Sequence, residues 1–111
     1  MKFLSRQEEL LLLSIWSLGD NAYGIPIREH VSKVSERYWS IGAVYDVLDR
    51  LVRKGLVTTM IGAPVKARGG KSRRYYRITK SGFRSLRELT SLQERAWSGM
   101  PKTALAGKES S

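Results

Sequence analysis

Cysteine is absent, and His30 is the single histidine among 111 residues. A disulfide framework, a thiolate nucleophile and the Cys/His spacings of a zinc site are thereby excluded. Long apolar runs are missing as well. No stretch approaches the roughly 18 to 20 residues that a membrane span needs. Between Met1 and Glu9 the polar residues Ser5, Arg6, Gln7 and Glu8 interrupt Phe3 and Leu4 before a signal-peptide core can form, so the expected location is the cytoplasm. There is no Gly-rich phosphate loop and no nucleophile elbow. Asp20, Glu29, Asp46 and Asp49 fall in capping or helix-surface contexts, so nothing supports an enzyme and no cofactor or metal is expected.

Negative charge is scarce in one half of the chain. Through Gly55 there are 8 basic and 7 acidic residues, and beyond it 12 basic and 3 acidic. From Val65 to Arg87 there are nine basic residues and no acid. A field concentrated in this way attracts polyanions, either nucleic acid or an anionic membrane surface, and the fold has to choose between them. The length suits one domain with a modest core, which makes self-association the expected source of further stability.

What is present is punctuated by helix caps. Ser5-Arg6-Gln7-Glu8 is a capping box, from which a helix runs through Leu10 to Leu18 and stops at Gly19-Asp20-Asn21. Its apolar set is wider than one stripe, so it calls for cover on two sides. Tyr23-Gly24-Ile25-Pro26 leads into a short helix with Ile27, Val31 and Val34 on one face. Ser40 caps a third helix, in which Ile41, Val44, Leu48, Leu51 and Val52 recur at helical spacing until Gly55. Leu56–Ile61 and Arg73–Thr79 are β-prone and flank a turn-forming stretch, Gly62 to Gly70, which predicts a hairpin with a basic tip. A last helix starts near Thr79 or Lys80, carries Phe83, Leu86, Leu89, Leu92, Ala96 and Trp97, and ends at Gly99 and Pro101.

Three helices, a basic hairpin and an added helix spell an α+β fold, the winged helix-turn-helix, in which the third helix enters the major groove and the hairpin follows the backbone. The expected division is a winged-helix domain over residues 1–79, whose first helix is shared with a subunit interface, a dimerisation helix over 80–98, and a disordered tail over 99–111.

Three segments carry a family likeness. Gly42-Ala43-Val44-Tyr45 through Arg50-Leu51-Val52-Arg53-Lys54-Gly55-Leu56-Val57 resembles the signature of the PadR family of transcriptional regulators. Tyr23-Gly24-Ile25 resembles that family's start of its second helix, and Gly69-Gly70-Lys71-Ser72-Arg73-Arg74-Tyr75-Tyr76 through Ser81-Gly82 resembles its wing and exit. The likeness spans roughly Leu10 to Phe83 in the right order. The single terminal helix is similar to that of the smaller PadR subgroup. The resemblance implies a homodimer built from the first and last helices, repression of a nearby promoter, and in some members release of DNA on binding a planar aromatic effector.

The residues then sort by role. Ser40, Gly42, Ala43 and Tyr45 are the candidates of the third helix for double-stranded DNA, with Ser40 and the Tyr45 hydroxyl suited to phosphates and the two small residues to close approach. The Tyr45 ring could equally pack beside Leu48. Asp46 with Arg50 and Asp49 with Arg53 read as i,i+4 pairs worth a few tenths of a kcal/mol. Lys66, Arg68, Lys71, Arg73 and Arg74 are the candidates of the wing for phosphate contact. With Ile78 inside, Tyr76 is predicted in the core and Tyr75 outside. Leu11, Ile15, Leu86, Leu89 and Trp97 are predicted at a dimer interface. The resemblance makes Trp97 the nearest candidate for an effector site, against the simpler reading of an interface or partly exposed tryptophan. His30 is expected at the surface or its boundary. A protein-interaction module that keeps the winged fold without its DNA affinity, and a regulator of another winged-helix family, remain open alternatives.

Overall fold

The capping box forms as read. In the computed structural model, which describes residues 3–62 and 72–99, the Ser5 amide donates to Glu8 Oε1 at 2.8 Å and the Glu8 amide donates to Ser5 Oγ at 3.1 Å. Helix α1 (Arg6–Leu18) follows, closed by Gly19 at φ 57° and a 3-10 turn, Gly19–Asn21. Helix α2 (Gly24–Ser35) and helix α3 (Ile41–Arg53) complete the tri-helical unit. Strands β1 (Val57–Ile61) and β2 (Arg74–Ile78) pair antiparallel, from Val57 opposite Ile78 to Ile61 opposite Arg74. Helix α4 (Lys80–Ser98) ends the described chain.

Four helices around a two-stranded hairpin give the α+β winged-helix fold. Leu11, Leu12 and Ile15 of α1, Ile27 and Val31 of α2, and Val44, Val47, Leu48 and Leu51 of α3 share one core with Val57, Tyr76 and Leu86. Burying each such aliphatic side chain stabilises the fold by about 1.5–3 kcal/mol. Two details of the apolar pattern differ from the sequence reading. Val34 is 57% exposed, and Ile41 is only half-buried while Val47 takes a place on the inner face of α3. Positions 44, 47, 48 and 51 make the continuous stripe, and Ile41 in the first turn lies at its margin.

Two contacts fix the hairpin to the helices. The Tyr76 amide donates to Ala22 O at 2.8 Å and Tyr23 bridges Tyr75, so the segment between α1 and α2 acts as a third edge. Thr79 accepts from the Gly82 amide at 3.1 Å, capping α4, and its hydroxyl donates to Gly55 O at 2.7 Å. One side chain thereby starts α4 and holds the end of α3, where Gly55 at φ 74° supplies the left-handed turn. A side chain at Gly82 would run into the Leu56 carbonyl, so α4 can begin against the hairpin only with glycine there.

Candidate nucleic-acid interface

The first turn of α3 is open to solvent. Ser40 caps it, accepting from the Ala43 amide at 3.1 Å. Ser40, Gly42, Ala43, Asp46 and Asp49 are exposed, and nothing lies within 4 Å of where a Gly42 side chain would start. The four orphan amides of a helix start favour an anion, and small residues there allow a backbone to approach closely. Tyr38, 81% exposed in the loop just before Ser40, is a further accessible aromatic that the sequence analysis leaves out. Its only signal is an aromatic in a polar loop.

Tyr45 does two things. It remains 42% exposed, yet its ring leans on the start of α2. A Cβ at Gly24 would meet the Tyr45 hydroxyl and come within 2.9 Å of the adjacent ring carbon. Gly24, noticed in the sequence only as part of a motif, is therefore the gap that lets α2 and α3 cross at this point.

The last turn of α3 is arranged differently. Arg50 and Arg53 are expected beside Asp46 and Asp49, but the described residues hold no such pairs. Arg50 Nε instead faces Glu8 Oε2 at 3.6 Å, and Lys54 Nζ donates to the same oxygen at 2.5 Å. A carboxylate that is 2% exposed attracts cations more strongly than solvated aspartates on the same helix do. Burial would raise the Glu8 carboxyl, but hydrogen bonds from Lys54 and the Ser5 amide, with the Lys54 charge, hold it below the ordinary carboxylate value.

On the wing, Lys66, Arg68 and Lys71 lie outside the described residues. Arg73 and Arg74 separate into two roles. The Arg73 guanidinium lies 4.3 Å from the centre of the Tyr23 ring, which meets Tyr75 edge-on at 5.6 Å, and Arg73 Nε is buried without a hydrogen bond. Arg73 therefore packs the root of the wing. Arg74 is exposed. Tyr76 is 3% exposed, as alternation on the strand requires, and burial pushes its phenol above the ordinary value against the opposing charge of Arg74.

The interface expected of α1 and α4 needs correction. Leu11 (0% exposed), Ile15 (2%) and Leu86 (8%) are enclosed in the protomer's own core, in one cluster with the buried residues of α2, α3 and the hairpin. The apolar groups that α1 and α4 leave accessible are Leu13, Trp16, Phe83 and Trp97, with Leu89 half-buried. Trp16 and Phe83 pack with ring centres 5.1 Å apart and floor an open groove of about 1080 Å³ rimmed by Arg84, Arg87 and Arg95. Trp97, 63% exposed, does not line it. His30 is half-buried, with Nδ1 2.9 Å from Ser14 Oγ, whose proton goes to Leu10 O. Among the described residues no acidic, Cys or His cluster could hold a metal, and no helix is long and apolar enough to cross a membrane.

Comparison with known proteins agrees with this architecture. No curated protein matches the chain. A PadR family transcriptional regulator from Eggerthella lenta superimposes with a TM-score of 0.65 at 26% identity, over 85% of this chain and 80% of that one. A PadR-like transcription factor from Bacteroides fragilis gives 0.64 at 24%, over 84% and 87%, and RosR of H. salinarum gives 0.68 at 19%, over 96% and 94%. The last two show a shared fold. The model of the transcriptional regulator PadR-like family matches residues 12–88, from the middle of α1 through α2, α3 and both strands into the first half of α4. The chain belongs to the PadR-like family of transcriptional regulators, and its work is the control of transcription rather than catalysis.

Proposed function

We propose that the chain is a homodimeric repressor that binds duplex DNA, with the first turn of α3 in the major groove and the hairpin along the phosphates. The observation that carries this is the open start of α3, with exposed Ser40, Gly42 and Ala43, in a chain whose Val65–Arg87 stretch has nine cations and no acid. Ser40, Tyr45 and Arg74 contact phosphates, Gly42 and Ala43 approach base edges, and Lys66, Arg68 and Lys71, which lie between the two strands in sequence, add further phosphate contacts. Arg73 acts by holding the wing root. Leu13, Trp16, Phe83, Leu89 and Trp97 offer the apolar surface for a second copy, and the protein works in the cytoplasm beside its DNA.

The operator is a palindrome whose half-sites lie about one helical turn, or a multiple of it, apart. Selection from fragmented genomic DNA tests this. Enrichment of a two-fold symmetric site is expected, and the absence of any enriched sequence overturns the reading. Exposed Asp46 and Asp49 on α3 support the rival, a winged module that binds protein, and that rival predicts no affinity for duplex. A planar aromatic effector at Trp97 would be displayed by quenching of tryptophan emission that Trp97→Phe abolishes. A dye panel without quenching contradicts it.

A further inference from the structure

Glu8 is remote from the open turn of α3, yet it stands where three helices meet. Consecutive helical residues point about 100° apart, so Glu8 and Glu9 leave the first turn of α1 in different directions. Glu8 takes Lys54 at 2.5 Å and faces Arg50 Nε at 3.6 Å, both from the end of α3. Glu9, 9% exposed, accepts from Gln93 Nε2 of α4 at 3.5 Å and pairs with Arg6 at 3.5 Å. A single turn of α1 therefore grips α3 with one carboxylate and α4 with the next.

Such a joint is a poor way to gain stability alone. Desolvating a carboxylate opposes most of what its ion pair returns, and an apolar contact would hold the helices as firmly. What a buried ionic joint supplies is direction. Two cations from successive turns of α3 converge on one oxygen, Glu8 Oε2, and Arg50 Nε is buried with no hydrogen bond of its own. The capping box holds that carboxylate in turn, through the Ser5 amide at 2.8 Å.

We infer that Glu8 is a positioning residue for operator recognition: with Lys54 and Arg50 it sets the angle of α3 on the α1–α4 platform, and hence the separation of the two recognition helices in the dimer. The inference rests on the proposed binding of an operator by a dimer through α3. It differs from a purely stabilising role in one observable, the tolerance of half-site spacing.

Glu8→Gln makes the test, because its one carbonyl oxygen can keep the Ser5 amide in the capping box while an NH2 group replaces Oε2, so the variant removes the acceptor and the charge that Lys54 and Arg50 share and leaves the start of α1 capped. Fluorescence anisotropy at fixed salt compares the selected operator, the same operator with one base pair inserted between half-sites, and an unrelated duplex. Wild type should disfavour the inserted site by about tenfold, the effect of roughly one mismatched base pair. Glu8→Gln should lose most of that preference and keep its affinity for the unrelated duplex, which comes from phosphate contacts. Lys54→Gln should do the same, and it serves in place of Glu8→Gln if circular dichroism shows that variant unfolded. Preserved discrimination, or an equal loss of affinity for all three duplexes, overturns the inference. If wild type binds no duplex, the proposed function and this inference fall together; if wild type binds and the variants still discriminate, the inference alone fails.

Discussion

The two ends of α3 are built to opposite specifications. At its start, Ser40 satisfies one amide of the helix, Gly42 faces open space and only the Tyr45 ring is braced, against Gly24. At its end, Arg50 and Lys54 close on a carboxylate that is 2% exposed, and Gly55 is fixed by the Thr79 hydroxyl. The apolar stripe from Val44 to Leu51 joins them. The difference teaches how one helix can present a surface and keep its aim. Apart from the Ser40 cap and the braced Tyr45 ring, the side chains at the start are left to solvent, while those at the opposite end turn their charges onto a carboxylate inside the protomer.

The largest effect should come from removing what the two ends share. Leu48 is fully buried in the middle of α3, and Leu48→Ala should destabilise the fold by about 2–5 kcal/mol, seen as a lower midpoint in urea denaturation with an unchanged slope. An unaffected midpoint would mean that the stripe does not anchor the helix. Next, Gly24→Ala drives a methyl into the Tyr45 ring and should cost about 1–3 kcal/mol. The double variant Gly24→Ala/Tyr45→Ala should recover part of the loss, and additive losses would show that the two residues do not touch.

At the capped start, Ser40→Ala should cost about 1 kcal/mol of stability, read from thermal or urea unfolding. At the clamped end, the prediction is one of pH. The Glu8 carboxyl sits lower in the folded chain than in the unfolded one, so its contribution is present above the ordinary carboxylate value and disappears as pH falls through the lowered folded value. Wild type should therefore exceed Glu8→Gln in stability at neutral pH and approach it in acid. A gap that stays constant down the pH scale would place the charge outside the account. The smallest effect divides the wing: Arg73→Ala should lose about 0.5–1 kcal/mol of stability with its cation–π contact to Tyr23, while exposed Arg74→Ala should leave unfolding unchanged.

What the sequence reveals of this molecule is what is local. Ser5 with Glu8, Ser40 with Ala43 and Thr79 with Gly82 are three residues apart, so a cap can be read from its own few positions. The alternation that buries Tyr76 is equally short in range. Lys54 and Glu8 are 46 positions apart, and Arg73 reaches its place on Tyr23 only once the hairpin folds back on the helices. No periodicity announces such pairs. The greasy face of α1 also demands two covers without saying which residues meet which, and so Leu11 and Ile15 turn inward while Trp16 remains outside.

The central claim, that an open α3 start and an acid-free cationic stretch meet the phosphates of duplex DNA, is tested most directly by the salt dependence of binding. The account expects the logarithm of the association constant to fall linearly with the logarithm of salt concentration, with a slope of about −0.9 for each phosphate neutralised, and Arg74→Ala to make that slope shallower by about one unit. A flat titration, or no binding to duplex at low salt, would contradict it.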